Sequence, residues 1–225
     1  MTNTLHRYGD SDSFRDDFIL FAIPCKGKND EGAIEKLRAF LRLCAKHSPV
    51  NMGNGDFGSH KPSHNLRPTA HWSRGNGQPD YEAVINAVQK VGTVSAVFDS
   101  KESAEACLAE VKQADLGLSI NMSTSVEGAK EAAECCGIHR HSVEYSLGFC
   151  DVHDHLPNSQ VLELATMCGH GMVSFNFARK MLDMVREGRR TPDQVVTTLA
   201  RFCPCGVYNP SRAKRLLEEA RTHSA

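Results

Sequence analysis

The side chains able to do chemistry concentrate in three short stretches. These are Cys150-Asp151-Val152-His153-Asp154-His155, Cys168-Gly169-His170-Gly171 and Cys203-Pro204-Cys205-Gly206. Together they hold four cysteines, three histidines and two aspartates. Thiolates, imidazoles and carboxylates are the ligands of transition metals. Each stretch falls in a gap between periodic segments, so its side chains can meet ligands from another gap. Turns that open helices also present free backbone N–H groups, which stabilise thiolates and anionic clusters. Glycine beside a ligand lets the backbone approach, and Pro204 next to the cysteines fixes the turn.

Four thiolates, from Cys150, Cys168, Cys203 and Cys205, suffice for an iron–sulfur cluster. Cysteine–proline neighbours resemble those of ferredoxin cluster motifs. The Cys-x-Cys spacing is tighter than that of most structural zinc knuckles. The expectation is therefore an iron–sulfur cluster, 4Fe-4S favoured, with His170 as a further metal ligand or acid–base group. Zinc is the alternative. An open iron would act as a Lewis acid on a small polar or anionic substrate, whereas a fully ligated cluster would transfer electrons. Radical chemistry on S-adenosylmethionine is disfavoured because no Cys-x3-Cys-x2-Cys run occurs. Cys44 and Cys107 occupy helix-interior positions and read as small hydrophobes.

Asp151-x-His153-x-His155 resembles the first metal motif of the amidohydrolase and PHP-type hydrolases. The resemblance covers five residues. It implies a zinc-dependent hydrolase in which His153 and His155 act at the metal and the cysteines are structural. A third reading is a non-catalytic metal or sulfur carrier, or an assembly partner. Cys135-Cys136-Gly137 superficially resembles the cysteine–cysteine–glycine motif of heterodisulfide-reductase-type cluster domains. No Cys-x-x-Cys follows it at the right distance, so it reads as a helix C-cap.

Two further sets could serve a substrate. Cys25-Lys26-Gly27-Lys28 follows the first strand. In an open α/β sheet, ligands bind beyond the carboxyl ends of strands. Lys26 and Lys28 could hold an anion there, with Cys25 as a lowered-pKa nucleophile. His60, His64 and His71 lie with Trp72 in a stretch, 48–79, that has no clear periodic segment. That stretch reads as a substrate-contacting lid. His139 and His141 read as structural.

The elements that must position these groups follow from hydrophobic period. Residues 17–24 form a continuous apolar run, which predicts a buried strand. Ile34, Leu37, Leu41 and Cys44 recur at helical spacing and predict a helix over 30–47. Helices over 81–91, 101–113 and 125–136 alternate with strands over 94–98, 116–122 and 142–149. Such alternation predicts an α/β domain over 17–149 with a largely parallel sheet and flanking helices. Residues 150–225 read as an all-helical, cysteine-rich metal-binding region. Its helices cover 158–168 and 174–187, and two more start at Thr191-Pro192 and Asn209-Pro210. Residues 1–16 are polar and charged and read as a mobile tail.

Composition narrows the partners. The 225 residues carry 26 basic and 27 acidic side chains, a formal charge of -1. That balance argues against a nucleic-acid or anionic-membrane partner. The longest apolar run is far too short to span a bilayer, and no secretory leader is expected. Nine cysteines, an odd number, argue against a disulfide framework and for a cytoplasmic protein. The expected partners are a small-molecule substrate and either a second copy or a redox partner protein.

Overall fold

In a computed structural model describing residues 7–60, 79–145 and 155–222, Phe18–Ile23 forms the central strand β1. Three further strands complete one sheet: β2 (Asn51–Gly53), β3 (Val94–Phe98) and β4 (Ser119–Ser123). Their order is β2-β3-β1-β4, and every pairing is antiparallel. Phe18 faces Phe98 across one ladder, and Leu20 faces Met122 across the other.

The largely parallel sheet expected from the sequence is thus corrected to an antiparallel one. The crossover helices α1 (Ala33–Lys46) and α3 (Lys101–Ala114) are present as expected. What the alternation did not show is β2. It pairs with β3, and β3 lies between β1 and β2. Each helix therefore returns the chain to a strand that is not its neighbour. The result is a split β-α-β-β-α-β connection. The short helix α2 (Tyr81–Asn86) lies on the way from β2 to β3.

Both faces of the sheet are covered. Phe18, Leu20, Ala22, Ala96 and Phe98 pack against Leu37, Phe40, Leu41 and Cys44 of α1 and Cys107 of α3. Ile19, Phe21 and Val97 point the other way, into a layer of four helices: α5 (Ser159–Thr166), α6 (Phe175–Arg186), α7 (Pro192–Ala200) and α8 (Pro210–Thr222). β1 and β3 therefore bury both of their faces; β1 reads as an unbroken apolar run and β3 as one interrupted only by Ser95. Parallel strands give the same pattern. A fourth helix of the first layer, α4 (Val126–Cys135), packs on α3. The strand expected over 142–149 is not seen in its described part: 142–145 is irregular and exposed, and 146–149 lies outside the described residues.

Local capping explains the helix starts. Ser100, Ser125, Asn158 and Ser174 each accept a backbone N–H with the side chain, and Thr191 forms a capping box with Gln194.

Part of the stretch read as a mobile tail, 1–16, lies among the described residues and carries long-range contacts. Residues 7–17 are strapped to the helical layer. The Tyr8 N–H donates to Thr166 Oγ1 at 2.8 Å, and Arg212 Nη2 donates to the Tyr8 carbonyl at 2.9 Å. Arg215 Nη2 reaches the Ser13 carbonyl at 2.9 Å and Asp16 Oδ1 at 2.8 Å. Asp17 is fully buried and takes Arg212 Nη1 and Asn209 Nδ2, each at 2.9 Å. These partners lie 158 to 204 positions away, so local composition could only suggest solvated charge.

Candidate metal–thiolate centre

The turn from α7 to α8 carries Cys203-Pro204-Cys205-Gly206. The Cys203 N–H donates to the Ala200 carbonyl at 3.1 Å, and the Gly206 N–H donates to the Cys203 carbonyl at 3.3 Å. Gly206 adopts a positive φ of 70°. This turn lies directly on β2. A Cβ on Gly53 would stand 1.9 Å from the Cys205 carbonyl oxygen, and one on Gly206 would stand 2.3 Å from the Met52 carbonyl oxygen. Ser95 Oγ donates to the Cys205 carbonyl at 3.1 Å, and Asn51 Nδ2 donates to the Tyr208 carbonyl at 2.7 Å. The strand that sequence periodicity missed is the platform for the cysteine turn.

Cys168 arrives from the turn after α5. Its thiol lies within electrostatic reach of that of Cys203, and Cys203 Sγ lies 3.6 Å from Cys205 Sγ. All three are buried in the core between the sheet and the helical layer. Nearby backbone amides favour the thiolates: those of His170 and Met172 for Cys168, and that of Val207 for both Cys203 and Cys205. The three thiols share protons unequally. The hydrogen bond from Cys203 holds the Cys205 thiol below the usual range against the cost of burial, helped by the Val207 amide. The Cys203 bond and burial push Cys168 well up. For Cys203, the bond from Cys168 pulls down, but the bond with Cys205 and burial push it up to about 12. Cys205 is the sulfur that ionises first.

Cys205 also borders open space. A cleft of about 450 Å³ lies between the Asn54–Asp56 turn, Lys90, Thr93 and the cysteine turn, with Cys205 and His170 on its wall. Its volume is in the range of small-ligand pockets. Phe21 and Val207 give it an apolar floor, and the Lys90–Asp56 ion pair, 2.5 Å long and exposed, stands at its rim. On the inner side stands Tyr208. It is fully buried, its hydroxyl has no partner among the described residues, and it lies within electrostatic reach of Cys168, Cys203, Arg7 and Arg212.

No protein family, curated protein or solved structure matches the chain. The meaning of the site therefore rests on its own geometry. Among the described residues, no group of three or more His, Cys, Asp or Glu side chains is placed to hold a metal ion as it stands. Cys203 and Cys205 hydrogen-bond thiol to thiol instead, as protonated thiols do. Cys150, Asp151 and His153 lie outside the described residues, as do His64 and His71. His155 is exposed.

The other expected site residues are dispersed. Cys25, Lys26 and Lys28 sit in an exposed turn, where the Cys25 N–H donates to Asn29 Oδ1 at 2.5 Å. They are not among the residues lining the cleft. The siting rule that suggested them belongs to parallel sheets and falls with that expectation. His60 faces inward, its Nε2 donating to the Val50 carbonyl at 2.9 Å. Cys44 and Cys107 lie 3.6 Å apart in the opposite core layer, both fully buried. Tyr208, Arg7, Arg212, Gly53 and Gly58 were not read as site residues. The only local signal for any of them was the glycine and proline punctuation around the Cys-x-Cys pair.

His60 supplies a pH test of this packing. Burial lowers its pKa from the 6.5 of a solvated imidazole, the Val50 bond opposes that, and Arg201 reinforces it. The folded state therefore binds this proton less readily than the unfolded chain. Stability is expected to fall as pH drops below 6.5 and to level off below the folded pKa. Urea midpoints from pH 7.5 to 5 should show this slope, and His60→Gln, which keeps a donor for Val50, should flatten it. An equal slope in the variant would remove His60 as the cause.

Proposed function

We propose that this protein is a cytoplasmic metalloenzyme whose centre is a metal–thiolate site at Cys168, Cys203 and Cys205. An iron–sulfur cluster is the leading reading of that centre, and Cys150 is the candidate fourth ligand. The carrying observation is the packing of Cys168 into one buried core cluster with the Cys203-Pro204-Cys205 turn, whose two thiols lie 3.6 Å apart. Hydrogen bonds to sulfur are one of the means by which proteins tune such clusters. The Tyr208 hydroxyl, without a partner among the described residues, fits the same group, because inorganic sulfides offer acceptors beyond the thiolates. A bound cluster would supply electron transfer or, with an open iron, Lewis acidity.

The cleft beside Cys205 and His170 favours an oxidoreductase or lyase acting on a small polar molecule over a carrier, which needs no cleft. His170, exposed on that wall, is the candidate acid–base group or further ligand. The described cysteines are all free thiols, which suits a reducing compartment. No helix among the described residues is long and apolar enough to cross a membrane.

One observation favours a single metal ion as the second reading. The 3.6 Å between Cys203 and Cys205 matches thiolates around one tetrahedral ion. Zinc–sulfur bonds of about 2.3 Å place such sulfurs about 3.8 Å apart. The test is metal and acid-labile sulfide content, with an absorption spectrum, on protein purified without oxygen. Iron with near-equal sulfide supports the cluster. Zinc without sulfide selects the single ion. Neither metal, with reconstitution also failing, removes the proposal.

A further inference from the structure

Two pairs of cysteines stand at the same separation. Cys203 Sγ lies 3.6 Å from Cys205 Sγ, and Cys107 Sγ lies 3.6 Å from Cys44 Sγ. All four are free thiols. To form a disulfide, either pair would have to close from 3.6 Å to about 2.0 Å.

Their surroundings separate them. Cys44 and Cys107 are fully buried among the apolar side chains between the sheet and helices α1 and α3. Cys205 lines the cleft of about 450 Å³, whereas Cys203 is 1% exposed and does not line it. One sulfur of this pair meets a molecule in the cleft, and the other meets only its neighbour. Thiol–disulfide exchange needs that division: an attacking thiol with access, and a resolving thiol beside it. A Cys203–Cys205 bridge would close a loop of three residues, too short to constrain the unfolded chain much. Disulfides that add little to stability are the ones that turn over. The turn itself is held independently of the sulfurs, with Ser95 Oγ donating to the Cys205 carbonyl at 3.1 Å.

The cleft indicates the class of substrate. Phe21 and Val207 form its floor, and its rim carries Lys90 paired with Asp56. The disulfide of an amino acid has an apolar C–S–S–C centre with ammonium and carboxylate ends. These match the floor and the two signs of the rim.

We propose that Cys205 and Cys203 form a dithiol that reduces small disulfides of the amino-acid type bound in this cleft. The Cys205 sulfur gives its proton to solvent and attacks one sulfur of the substrate. The substrate S–S bond breaks, one half leaves as a thiolate and is protonated by solvent, and a mixed disulfide with Cys205 remains. The Cys203 sulfur then gives up its proton, attacks Cys205 Sγ and expels the second half, which is protonated in turn. Two electrons pass to the substrate: one disulfide becomes two thiols, and two thiols become the Cys203–Cys205 disulfide. A dithiol from outside the protein restores the pair by the reverse exchange. The inference takes the cleft from the reading above and leaves out the metal, which would occupy the same sulfurs, so the two fail separately.

The test uses the full chain, reduced, stripped of metal with a chelator, and mixed with cystine in the absence of oxygen. Trypsin cuts after Arg201 and Arg212, and the segment 202–212 holds Cys203, Cys205 and no other cysteine. In wild type that peptide should lose two hydrogens at least about tenfold faster than exposed Cys25 gains a cysteinyl adduct, because the second thiol is already in place. Cys44 and Cys107 should stay reduced. Cys203→Ser should stop at a cysteinyl adduct on Cys205, and Cys205→Ser should leave Cys203 unmodified.

A 202–212 peptide that stays reduced while Cys25 reacts overturns the proposal. Oxidation of Cys44 with Cys107 at the same rate also overturns it, because the reaction then reports opening of the core. Both outcomes need wild type alone, so a variant that fails to fold does not hide the answer. Adduct formation on Cys203 in Cys205→Ser at the rate seen on Cys205 overturns the order of attack and the proposal with it. The metal content of untreated protein is measured separately and leaves this result unchanged.

Discussion

Cys205→Ser is expected to lose the metal, with affinity falling by at least about 100-fold, the upper end of the range for outer-shell partners, because a ligand itself is removed. Serine keeps the size of the side chain and the turn, so a fold defect should not mimic the loss. The residue is the best single probe of the site. Its sulfur ionises first, it takes the Val207 amide, and it stands on the cleft wall. The matched control is Cys107→Ser. Cys107 is paired with Cys44 at the same 3.6 Å and is fully buried, but it has apolar neighbours and no third thiol. Metal and sulfide analysis of the two variants beside wild type decides the matter. Equal metal in all three would end the assignment of Cys205.

Gly206→Ala is expected to cost the most stability of any single methyl group added to this protein. Two penalties combine. A residue with a Cβ resists the φ of 70° that Gly206 adopts, and the new carbon would stand 2.3 Å from the Met52 carbonyl oxygen. The first costs roughly 1–2 kcal/mol. The second is overpacking against backbone, about 1–3 kcal/mol or more, because a strand cannot rotate aside as a side chain can. A total of about 2–5 kcal/mol is a large share of the roughly 5–15 kcal/mol that holds a domain folded. Gly188→Ala separates the two penalties: its φ is 69° and nothing lies within 4 Å of the added carbon. Urea unfolding should show the smaller loss there. In Gly206→Ala the Cys203 and Cys205 thiols should also become reactive to a thiol reagent. Equal losses in the two variants would mean that the turn is not pressed on β2.

Hydrophobic period placed most elements within a few residues, including all four helices of the second layer. It did so because those helices carry clean apolar stripes, such as Ala178, Met181, Leu182 and Val185 on α6. It failed at β2 because three residues have no measurable period. Asn51, Met52 and Gly53 form a strand only because β3 offers them a ladder. That omission changed the sheet from antiparallel to parallel in the sequence reading, since buried strands joined by helices look alike in both. The thiols of the site were readable because cysteine in a turn has few structural uses. The arginines were not: Arg7 reads as a tail charge and Arg212 as the polar face of a helix. Only the fold reveals that both meet the same carboxylate.

The strap and the platform set an order of events in time. Asp17 bonds Arg212 across 195 positions, and Asn51 bonds Tyr208 across 157. Contacts of such long range close late in folding, after local helices and hairpins have formed. During synthesis the sheet and its first helical layer can assemble while residues 203–212 are still inside the ribosome. Cys168, Cys203 and Cys205 are therefore brought together only in the last stage of assembly, after the sheet and its first helical layer can form. Any ligand that needs all three thiols would be taken up no earlier than that stage.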